Sequence, residues 1–342
     1  MLRVGFIGGG NITDTHIRAA LAVPQLRVAA VVGTNAGRVK ALAEKYGICA
    51  YDDLHSFLLH RPLSMVVIGS PSGVHVEEGV AASKQGLHVL VEKPIDVTTQ
   101  RADQLITIAK NAGVKLGVLF QDRLKPDILR LRDWIRSGKL GRIMLVEASV
   151  KWYRPPEYYA NSKWRGTLRL DGGGALMNQG IHTVDLLLYL LGDIERVQAV
   201  TKTALHKIES EDTCVATLEF ANGAVGVLQA TTAAFPGYAR RVEITGTEGT
   251  VRLEQDRIVR VDLKIKTPSH EQDQSEPADE NLSAKSPVVS DVRGHQRILE
   301  DFVRSIETDG TPVCDGEEGR RSLAVVEAIY HSARLRDAVA CG

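Results

Sequence analysis

Hydrophobic and polar positions divide the first ~120 residues into short apolar runs and longer segments with helical periodicity. The runs are rich in Val, Ile and Leu, as are strands that a parallel sheet buries on both faces. Right-handed crossovers between such strands give a doubly wound sheet, so we predict an α/β Rossmann domain over residues 1–121. The strands are predicted at Arg3–Ile7, Val28–Val32, Met65–Gly69, His88–Val91 and Lys115–Leu119. The helices between them are predicted at Thr13–Ala22, Gly37–Tyr46, Val74–Gln85 and Thr98–Asn111.

The pattern changes after Gln121, because strands now follow one another with a single helix, Asn178–Leu191, between them. Another helix, Asp122–Ser137, precedes these strands. Turn sequences such as Ala221-Asn222-Gly223 join successive strands, which is typical of antiparallel sheets. We therefore predict an α+β domain with an antiparallel sheet over residues 122–342. Its strands are predicted at Ile143–Trp152, Val197–Thr203, Thr213–Phe220, Ala224–Thr231, Arg241–Thr245, Thr250–Glu254 and Ile258–Leu263.

Beyond the sheet, the polar stretch Thr267–Val292 contains three prolines and is predicted to be a long surface loop. Two helices are predicted after it, at about Gly294–Glu307 and Glu317–Ala340. The last helix is a candidate to pack back on the first domain.

The composition is that of an ordinary globular protein and excludes several function classes. The 42 basic and 42 acidic residues cancel, so nothing in the charge favours nucleic acid or an anionic membrane as a partner. The four cysteines lie far apart without a His at ligand spacing, so we expect neither a disulfide framework nor a metal site. The N-terminus has no signal-peptide pattern, and no apolar run reaches the ~20 residues that span a bilayer. We therefore expect a cytoplasmic protein.

A glycine-rich sequence, GGGNIT, spans Gly8–Thr13 and connects the first predicted strand to the first helix. Gly8 permits a tight turn, and Gly10 lets the backbone approach a pyrophosphate. The helix start at Asn11 and Ile12 offers unpaired N–H groups and the positive end of the helix dipole. Thr13 stands where a third small residue is usual, which weakens the close packing of helix on strand. The motif predicts a dinucleotide cofactor; the alternative is a glycine-rich turn without a ligand.

The end of the second strand bears on the choice between NAD and NADP. NAD enzymes usually place Asp or Glu there to bind the ribose hydroxyls, whereas this chain continues Gly33-Thr34-Asn35. Thr34 can donate to a 2′-phosphate, and Arg38, one helical turn later, can pair with it. NAD(P) is the predicted cofactor, with NADP favoured over NAD. If Arg38 is only a solvated helix residue, either dinucleotide binds.

Two sequences carry side chains suited to hydride-transfer chemistry. Lys93, in the sequence EKP, follows the fourth predicted strand, where a doubly wound sheet binds ligands, and can stabilise an alkoxide. His182 follows three glycines and begins a helix, and it is the predicted general base. Asn178 lies one turn earlier on the same face, and Asp185 is placed to orient the imidazole. The alternatives are a surface turn at Lys93 and a histidine that only packs a helix N-terminus.

One segment, residues 151–171, concentrates aromatic and basic side chains in a protein with only 5% aromatic residues. Aromatic rings stack on sugar C–H surfaces, and guanidinium groups pair with carboxylate or phosphate. The segment therefore suits a polyol, a sugar acid or a sugar nucleotide. The alternative is that its aromatic side chains anchor the loop itself or a subunit contact. Its aromatic residues are Trp152, Tyr153, Tyr158, Tyr159 and Trp164, and its basic residues are Lys151, Arg154, Lys163, Arg165 and Arg169.

These sequences together resemble the Gfo/Idh/MocA oxidoreductase family over essentially the whole chain. The resemblance includes Ser70-Pro71-Ser72 with His75, and it extends to the last helices. It implies a Rossmann domain followed by an open antiparallel sheet whose face often forms subunit contacts, and hence a homodimer or homotetramer. It also implies that Lys93 orients the hydroxyl or carbonyl while His182 transfers the proton.

The predicted site residues fall into three groups. The catalytic residues are Lys93 and His182. The predicted cofactor contacts are Gly8, Gly10, Asn11, Ile12, Thr34, Arg38, Ser70, Pro71, His75, Glu92, Lys93 and Gln121. The predicted substrate contacts are Arg123, Trp152, Tyr159, Trp164, Arg165, Asn178, Gln179 and Asp185.

One departure from the family pattern narrows the substrate. Many dehydrogenases of the family carry Asp four residues before the catalytic His, where this chain has Asn178. Asn can hold a substrate hydroxyl but cannot support an imidazolium by charge, so His182 is expected to be a weaker base. Asn178-Gln179, with Trp164–Thr167 and Tyr158-Tyr159, resembles the branch that oxidises UDP-N-acetylglucosaminuronic acid at C3.

We therefore expect a dehydrogenase that acts on a ring hydroxyl of a sugar, a sugar acid or a nucleotide sugar. One alternative is an NADPH-dependent reductase of a keto-sugar, which the sequence Gly33-Thr34 and Arg38 would favour. The other is a dinucleotide-binding sensor without catalysis, although a sensor needs neither Lys93 nor His182.

Overall fold

The computed structural model describes residues 1–264 and 291–341, which form two compact units. The first unit contains Met1–Gln121, Arg169–Gly172 and the described part of Val288–Leu323. The second unit contains Asp122–Leu168 and the described parts of Gly173–Pro287 and Ala324–Gly342. The sequence predicts a single boundary after Gln121, whereas the two units alternate along the chain.

Six parallel strands form the sheet of the first unit, in the order β3-β2-β1-β4-β5-β6. The strand order reverses at β1, as it does in a doubly wound sheet, and β4 and β6 are buried at every position. The predicted Rossmann fold is therefore confirmed. The strands are β1 (Leu2–Ile7), β2 (Leu26–Val32), β3 (Cys49–Tyr51), β4 (Met65–Ile68), β5 (His88–Glu92) and β6 (Leu116–Leu119). The helices are α1 (Asn11–Leu21), α2 (Ala36–Tyr46), α3 (Leu54–Leu58), α4 (His75–Lys84), α5 (Thr99–Asn111) and α9 (Arg293–Glu307).

β3 and α3 are two elements that the sequence pattern does not predict. Cys49 and Ala50 are exposed and Tyr51 is half-buried, so this edge strand has no apolar run that would reveal it. β3 pairs in parallel with Ala30–Val32 of β2, and this pairing sets its register.

Eight strands form the sheet of the second unit, in the order β13-β12-β11-β7-β10-β9-β8-β14. Neighbouring strands are antiparallel with one exception: β7 and β10 pair in parallel, Leu145 opposite Val225. The predicted α+β domain is confirmed, but its sheet is mixed rather than wholly antiparallel. The strands are β7 (Ile143–Lys151), β8 (Ile194–Lys202), β9 (Thr213–Phe220), β10 (Val225–Thr231), β11 (Arg241–Gly246), β12 (Gly249–Glu254), β13 (Arg257–Leu263) and β14 (Val339–Ala340). The helices are α6 (Pro126–Arg136), α7 (Pro156–Ala160) and α8 (Ile181–Leu191), and α10 (Gly316–Leu335) belongs to the first unit up to Leu323 and to the second from Ala324.

Within the described ranges 1–264 and 291–341, one face of the mixed sheet is covered and the other is open. Burial alternates along β8 and β9, so every second side chain points into the core. A short π-helix, Ala175–Gly180, packs on β9 and β10 and leads directly into α8. The predicted helix Asn178–Leu191 therefore begins inside a π-helix, which re-aims the side chains of its first turn.

Two further predictions concern the C-terminal part of the chain. The last helix ends at Leu335 rather than near Ala340, because Val339 and Ala340 pair with Val197 and Arg196 of β8. The predicted loop Thr267–Val292 lies outside the described residues except for its last two positions. Among the residues that the structure describes, no helix combines the length and apolarity that a membrane span requires.

Candidate active site

The glycine-rich turn joins β1 to α1. Gly8 has φ of +127°, and a Cβ there would lie 2.7 Å from the carbonyl oxygen of Gly69, so only glycine fits. A Cβ on Gly10 would meet no atom within 4 Å. Gly10 is also the N-cap of α1, and because it has no side chain it makes no cap hydrogen bond to the N–H groups of the first turn, which begins at Asn11 and Ile12. Open space before an uncapped helix N-terminus fits a pyrophosphate.

Thr13 is buried in this turn at the place of the usual third small residue. Two glycines make room for the side chains at the start of α1. A Cβ on Gly8 would lie 2.9 Å from Thr13 Oγ1, and a Cβ on Gly69 would lie 3.2 Å from Cγ2 of Ile12. The close approach of helix and sheet is therefore supplied by Gly69, at the end of β4.

Thr34 and Arg38 lie beyond β2, and both are exposed. The side chain of Asn35 accepts the backbone N–H of Arg38 at 3.0 Å and thereby caps α2. A Cβ on Gly9 would lie 3.8 Å from Cβ of Arg38, so α2 begins beside the glycine-rich turn. An exposed guanidinium therefore lies next to the predicted dinucleotide site, and no carboxylate follows β2.

Ser70, Lys93 and Gln121 follow β4, β5 and β6, three neighbouring parallel strands, so the three residues share the carboxyl edge of the sheet. Lys93 is half-buried, and its peptide bond to Pro94 is cis. Ser70 donates its hydroxyl to Glu78 Oε2 at 2.5 Å. Pro71 begins a 3₁₀ turn, Ser72–Val74, that leads into α4.

His75 is buried, whereas the sequence predicts that it contacts the cofactor. It is 1% exposed, and its Nδ1 and Nε2 lie 2.9 Å and 3.0 Å from the carbonyl oxygens of Pro94 and Ser70. Burial lowers the pKa of His75 despite these two acceptors. The side chain therefore links the ends of β4 and β5 behind the site and positions the backbone next to Lys93.

Glu92 likewise has protein partners in place of the predicted cofactor contact. Its Oε1 lies 2.9 Å from Nε2 of His16, and its Oε2 accepts the backbone N–H of Lys93 at 3.0 Å. Burial alone would raise the pKa of Glu92, but the contact with His16 and the charges of Lys93 and His295 lower it to about 2. Glu92 is thus an ionised, buried group that holds the Lys93 backbone.

Asn178 and His182 share one face in the second unit. From Gly173 to Leu188, these are the two residues that are not buried. The glycines before them are required by packing, because a Cβ on Gly173 would overlap Tyr330 and a Cβ on Gly174 would overlap the backbone of Glu211. Glu211 also accepts the N–H groups of Gly174 and Leu176, at 3.0 Å and 2.7 Å. The segment is therefore fixed while Asn178 and His182 stay accessible.

Arg123 and Asp185, both predicted to contact substrate, contact each other. Two hydrogen bonds of 2.9 Å and 2.7 Å join the guanidinium of Arg123 to the carboxylate of Asp185, and each side chain is 1% exposed. The guanidinium also stacks on the ring of Tyr189, 5.0 Å from its centroid. This buried ion pair contradicts the substrate contact predicted for both residues, because neither side chain is accessible to a ligand; the orienting role of Asp185 stays a prediction.

The carboxylate beside His182 is Asp122, a residue that the sequence analysis did not select. His182 Nδ1 lies 3.6 Å from Asp122 Oδ2. Asp122 comes directly after Gln121 in the 3₁₀ turn Gln121–Leu124, 60 positions before His182. No local spacing signals a contact over that distance in the chain.

Tyr158 is the centre of a cluster of aromatic and basic residues near Asn178. Two guanidinium groups lie over its ring, Arg165 at 4.3 Å and Arg154 at 5.5 Å. Its hydroxyl accepts a 3.4 Å hydrogen bond from Gln179 Nε2, which also donates to Asn178 Oδ1 at 3.1 Å. The structure therefore brings Arg165, Asn178 and Gln179 together, with Gln179 itself buried, and their contact with a substrate stays a prediction.

Other aromatic residues of the segment have structural partners. Tyr159 is buried, and its hydroxyl lies 2.9 Å from Thr232 Oγ1, so it packs the core rather than a ligand as predicted. Trp152 is 9% exposed and lies under Arg154 at 5.1 Å, which makes it a support for that guanidinium instead of a direct contact. Trp164 is half-buried beside Arg165 and stays a candidate contact.

Comparisons with known proteins bear on this geometry. Residues 2–120 match the family model of an oxidoreductase family with an NAD-binding Rossmann fold, and residues 128–252 match the GFO/IDH/MocA C-terminal domain. The chain belongs to the GFO/IDH/MocA family. It is therefore an oxidoreductase with an NAD-binding Rossmann domain, which sets aside the non-catalytic sensor.

Three known proteins illustrate the similarity. The WlbA dehydrogenase from Bordetella pertussis, solved with NADH and UDP-GlcNAcA, is 31% identical, with a TM-score of 0.90 over 100% of this chain and 98% of that one. The WlbA dehydrogenase from Chromobacterium violaceum, solved with the same two ligands, is 29% identical, with a TM-score of 0.89 over 100% and 96%. The D-glucoside 3-dehydrogenase of Escherichia coli is 26% identical over 97% of this chain and 95% of its own.

Proposed function

We propose that this member of the GFO/IDH/MocA family oxidises a ring hydroxyl of a sugar, with a sugar acid or a nucleotide sugar as the favoured substrate. The observation that carries the proposal is the pair Asn178 and His182, accessible on a segment that is otherwise buried from Gly173 to Leu188. The guanidinium group of Arg165, half-buried over the ring of Tyr158, suits an anionic substrate. The ligands named for the two WlbA structures agree with that chemistry.

In the proposed mechanism, His182 accepts the proton of the reacting hydroxyl, and Asn178 binds a neighbouring hydroxyl of the ring. The ammonium group of Lys93 donates a hydrogen bond to the reacting oxygen and stabilises its negative charge as the proton leaves. When bound, the nicotinamide supplies the acceptor for the hydride. Glu92 and His75 keep the backbone around Lys93 in place.

The dinucleotide would be held by the glycine-rich turn, with its pyrophosphate against the N–H groups of Asn11 and Ile12. We retain the prediction that NADP is favoured over NAD, because Arg38 is exposed beside the turn and no carboxylate follows β2. Fluorescence titration with NADH and NADPH tests it. Arg38→Ala should lower the affinity for NADPH about tenfold and leave that for NADH unchanged. Equal affinities for NADH and NADPH, both in the wild-type protein and in Arg38→Ala, would refute the preference for NADP.

Steady-state rates with UDP-N-acetylglucosaminuronic acid, glucuronic acid and a neutral glucoside test the substrate class. His182→Ala and Lys93→Ala should each lower kcat/KM by about two to four orders of magnitude, with little change in dinucleotide affinity. His331→Ala and Lys84→Ala, at exposed positions of the same two units, are matched controls that should retain full activity. Normal turnover by His182→Ala would refute its assignment as the base.

The reverse reaction is the second candidate, because the surroundings of Arg38 favour NADPH as the donor. Incubation with NADPH and the corresponding keto-sugar would show reduction faster than oxidation under matched conditions if the protein is a reductase.

We also propose that the open face of the mixed sheet joins two or four copies of the chain. Outward-pointing apolar side chains lie on neighbouring strands there, and Val200, Val215 and Val225 are 61%, 45% and 52% exposed. Light scattering of the protein and of Val215→Lys should show an oligomer that the charge dissociates. A monomeric wild-type protein would exclude this arrangement.

A further inference from the structure

Four charged side chains form a cluster in the second unit, in which Asp122, Arg240 and Asp256 are buried and Lys125 is about one-third exposed. Asp122 binds Arg240 Nη2 and Lys125 Nζ, each at 2.7 Å. Asp256 binds Lys125 Nζ at 2.6 Å and also pairs with Arg240. Each carboxylate therefore contacts both cations, and the formal charges of the cluster sum to zero. The side chains of Asp122, Arg240 and Asp256 are less than a tenth exposed.

His182 touches this cluster at one point. Its Nδ1 lies 3.6 Å from Asp122 Oδ2, close enough for a charge contact but beyond a direct hydrogen bond. The His182 side chain is itself 13% exposed, so the imidazole reaches from the accessible surface to the buried carboxylate. The geometry resembles the general arrangement in which a carboxylate fixes the tautomer of a catalytic histidine.

The other carboxylate expected to act on His182 is engaged elsewhere. Asp185 pairs with Arg123, and the position one turn before His182 is the neutral Asn178. Arg123 and Asp185 pair with each other, whereas the cluster presents Asp122 Oδ2 to Nδ1 of His182 at 3.6 Å. We propose that Asp122 is the positioning residue for His182, supplying from the 3₁₀ turn the charge that Asn178 lacks. This proposal deepens the proposed function, because it rests on His182 as the base.

The cluster explains how Asp122 keeps its charge in a buried place. Burial alone would raise its pKa, but the charges of Lys125 and Arg240 hold the pKa well below its usual range. Asp122 is therefore ionised at every pH at which the enzyme is expected to work. An ionised carboxylate at this distance favours Nδ1–H on the neutral ring, which leaves Nε2 to accept the substrate proton, and it then stabilises the imidazolium.

Asp122→Asn tests the proposal through the pH dependence of kcat/KM. The acidic limb should move to lower pH by about one unit, and the plateau should fall about tenfold. A shift of one pH unit is at the lower end of the effect that a carboxylate at this distance has on a neighbouring pKa, because Lys125 and Arg240 compensate part of its charge. Asp256→Asn is the matched control: it removes a carboxylate from the same cluster but not from His182, so the limb should stay in place.

A rescue variant distinguishes positioning from a loss of structure. Asp122→Asn combined with Asn178→Asp returns a carboxylate to the neighbourhood of His182 from the other side, one helical turn away. It should restore most of the plateau and the limb. Equal shifts of the limb in Asp122→Asn and Asp256→Asn, or no rescue, would overturn the proposal.

A measurement without substrate or cofactor keeps the proposal separate from the proposed function. The ¹⁵N spectrum of histidine-labelled protein, with His182→Gln to assign the signal, reports the tautomer of His182 in the otherwise unaltered chain. Nδ1–H is the expected tautomer, and a ring protonated at Nε2 alone would refute the role of Asp122, even if Asp122→Asn does not fold. Failure of the wild-type protein to oxidise any sugar would instead refute the proposed function and leave the NMR result standing.

Discussion

The Arg123–Asp185 pair allows a quantitative test of whether these residues serve the fold or the substrate. Asp185→Asn keeps the shape of the side chain and removes its charge, which leaves the Arg123 guanidinium buried at 1% exposure without its counter-ion. Breaking a buried pair from one side destabilises a protein by about 3–5 kcal/mol. The ring of Tyr189 still stacks on the guanidinium in the variant, so we expect the lower end, about 3 kcal/mol.

Urea unfolding followed by tryptophan fluorescence reports the stability of the second structural unit, in which this change is made. The three tryptophans, Trp134, Trp152 and Trp164, all lie in the second unit with Arg123 and Asp185. With a slope of about 2 kcal/mol per molar urea, a loss of about 3 kcal/mol lowers the midpoint by about 1.5 M. KM for the sugar should stay close to the wild-type value at temperatures where the variant is folded.

An exposed pair provides the control for the loss of charge. Arg260 and Asp262 are 61% and 56% exposed, so Asp262→Asn should change the free energy of unfolding by less than about 1 kcal/mol. The double variant Arg123→Met with Asp185→Leu should recover much of the loss, because apolar side chains leave no charge unpaired. A raised KM with a midpoint equal to that of Asp262→Asn would refute the structural role and support the predicted substrate contact.

Further predictions concern the glycine-rich turn, Glu211 and His75. Gly10→Ala should weaken NADH binding at least about tenfold in a fluorescence titration without lowering the melting temperature, because its Cβ meets only open space. Gly8→Ala should instead destabilise the protein by more than about 2 kcal/mol, since φ is +127° and the carbonyl of Gly69 is in the way; equal melting temperatures for the two variants would contradict this difference. Burial raises the pKa of Glu211 to about 7 against the hydrogen bonds that it accepts, so its contribution to stability is complete below pH 4.5 and is lost as the pH rises through 7. Glu211→Gln should reduce the fall in unfolding free energy between pH 4.5 and 8 by about 3 kcal/mol, and an unchanged pH dependence would show that Glu211 is ionised throughout. His75→Leu should lower kcat while the dinucleotide affinity stays within about twofold, because His75 is buried and contacts the carbonyl oxygens of Pro94 and Ser70; a large loss of NADH affinity would restore the predicted cofactor contact.

The features that could be predicted from sequence are those encoded over a few neighbouring positions. Apolar runs alternating with helical periods define the doubly wound sheet, and the parallel order of its strands brings Ser70, Lys93 and Gln121 to one edge. The glycine-rich turn is equally local, because Gly8 and Gly10 act within the strand–turn–helix connection that contains them. The face shared by Asn178 and His182 also follows from helical spacing.

The remaining features depend on pairings between distant residues, which no local pattern specifies. Arg123 and Asp185 are 62 positions apart, and Asp122 and Arg240 are 118 apart. A buried ion pair and an exposed substrate contact have the same residue types, so the sequence could not distinguish them. The parallel pair β7–β10 is hidden for a similar reason, since alternation along a strand does not depend on the direction of its neighbour.

The position of α9 in the first unit has a consequence for synthesis on the ribosome. Phe302 of α9 packs where a Cβ on Gly117 would lie, and the backbone N–H of Val118 donates to the carbonyl of Cys314 at 2.9 Å. Residues from the last part of the chain therefore complete the packing and hydrogen bonding of the edge strand β6. The nucleotide-binding half therefore begins at the first residue but cannot finish folding until about residue 320 has been made. A nascent chain stalled before that point should keep β6 exposed, which makes this edge the natural binding place for a chaperone during translation.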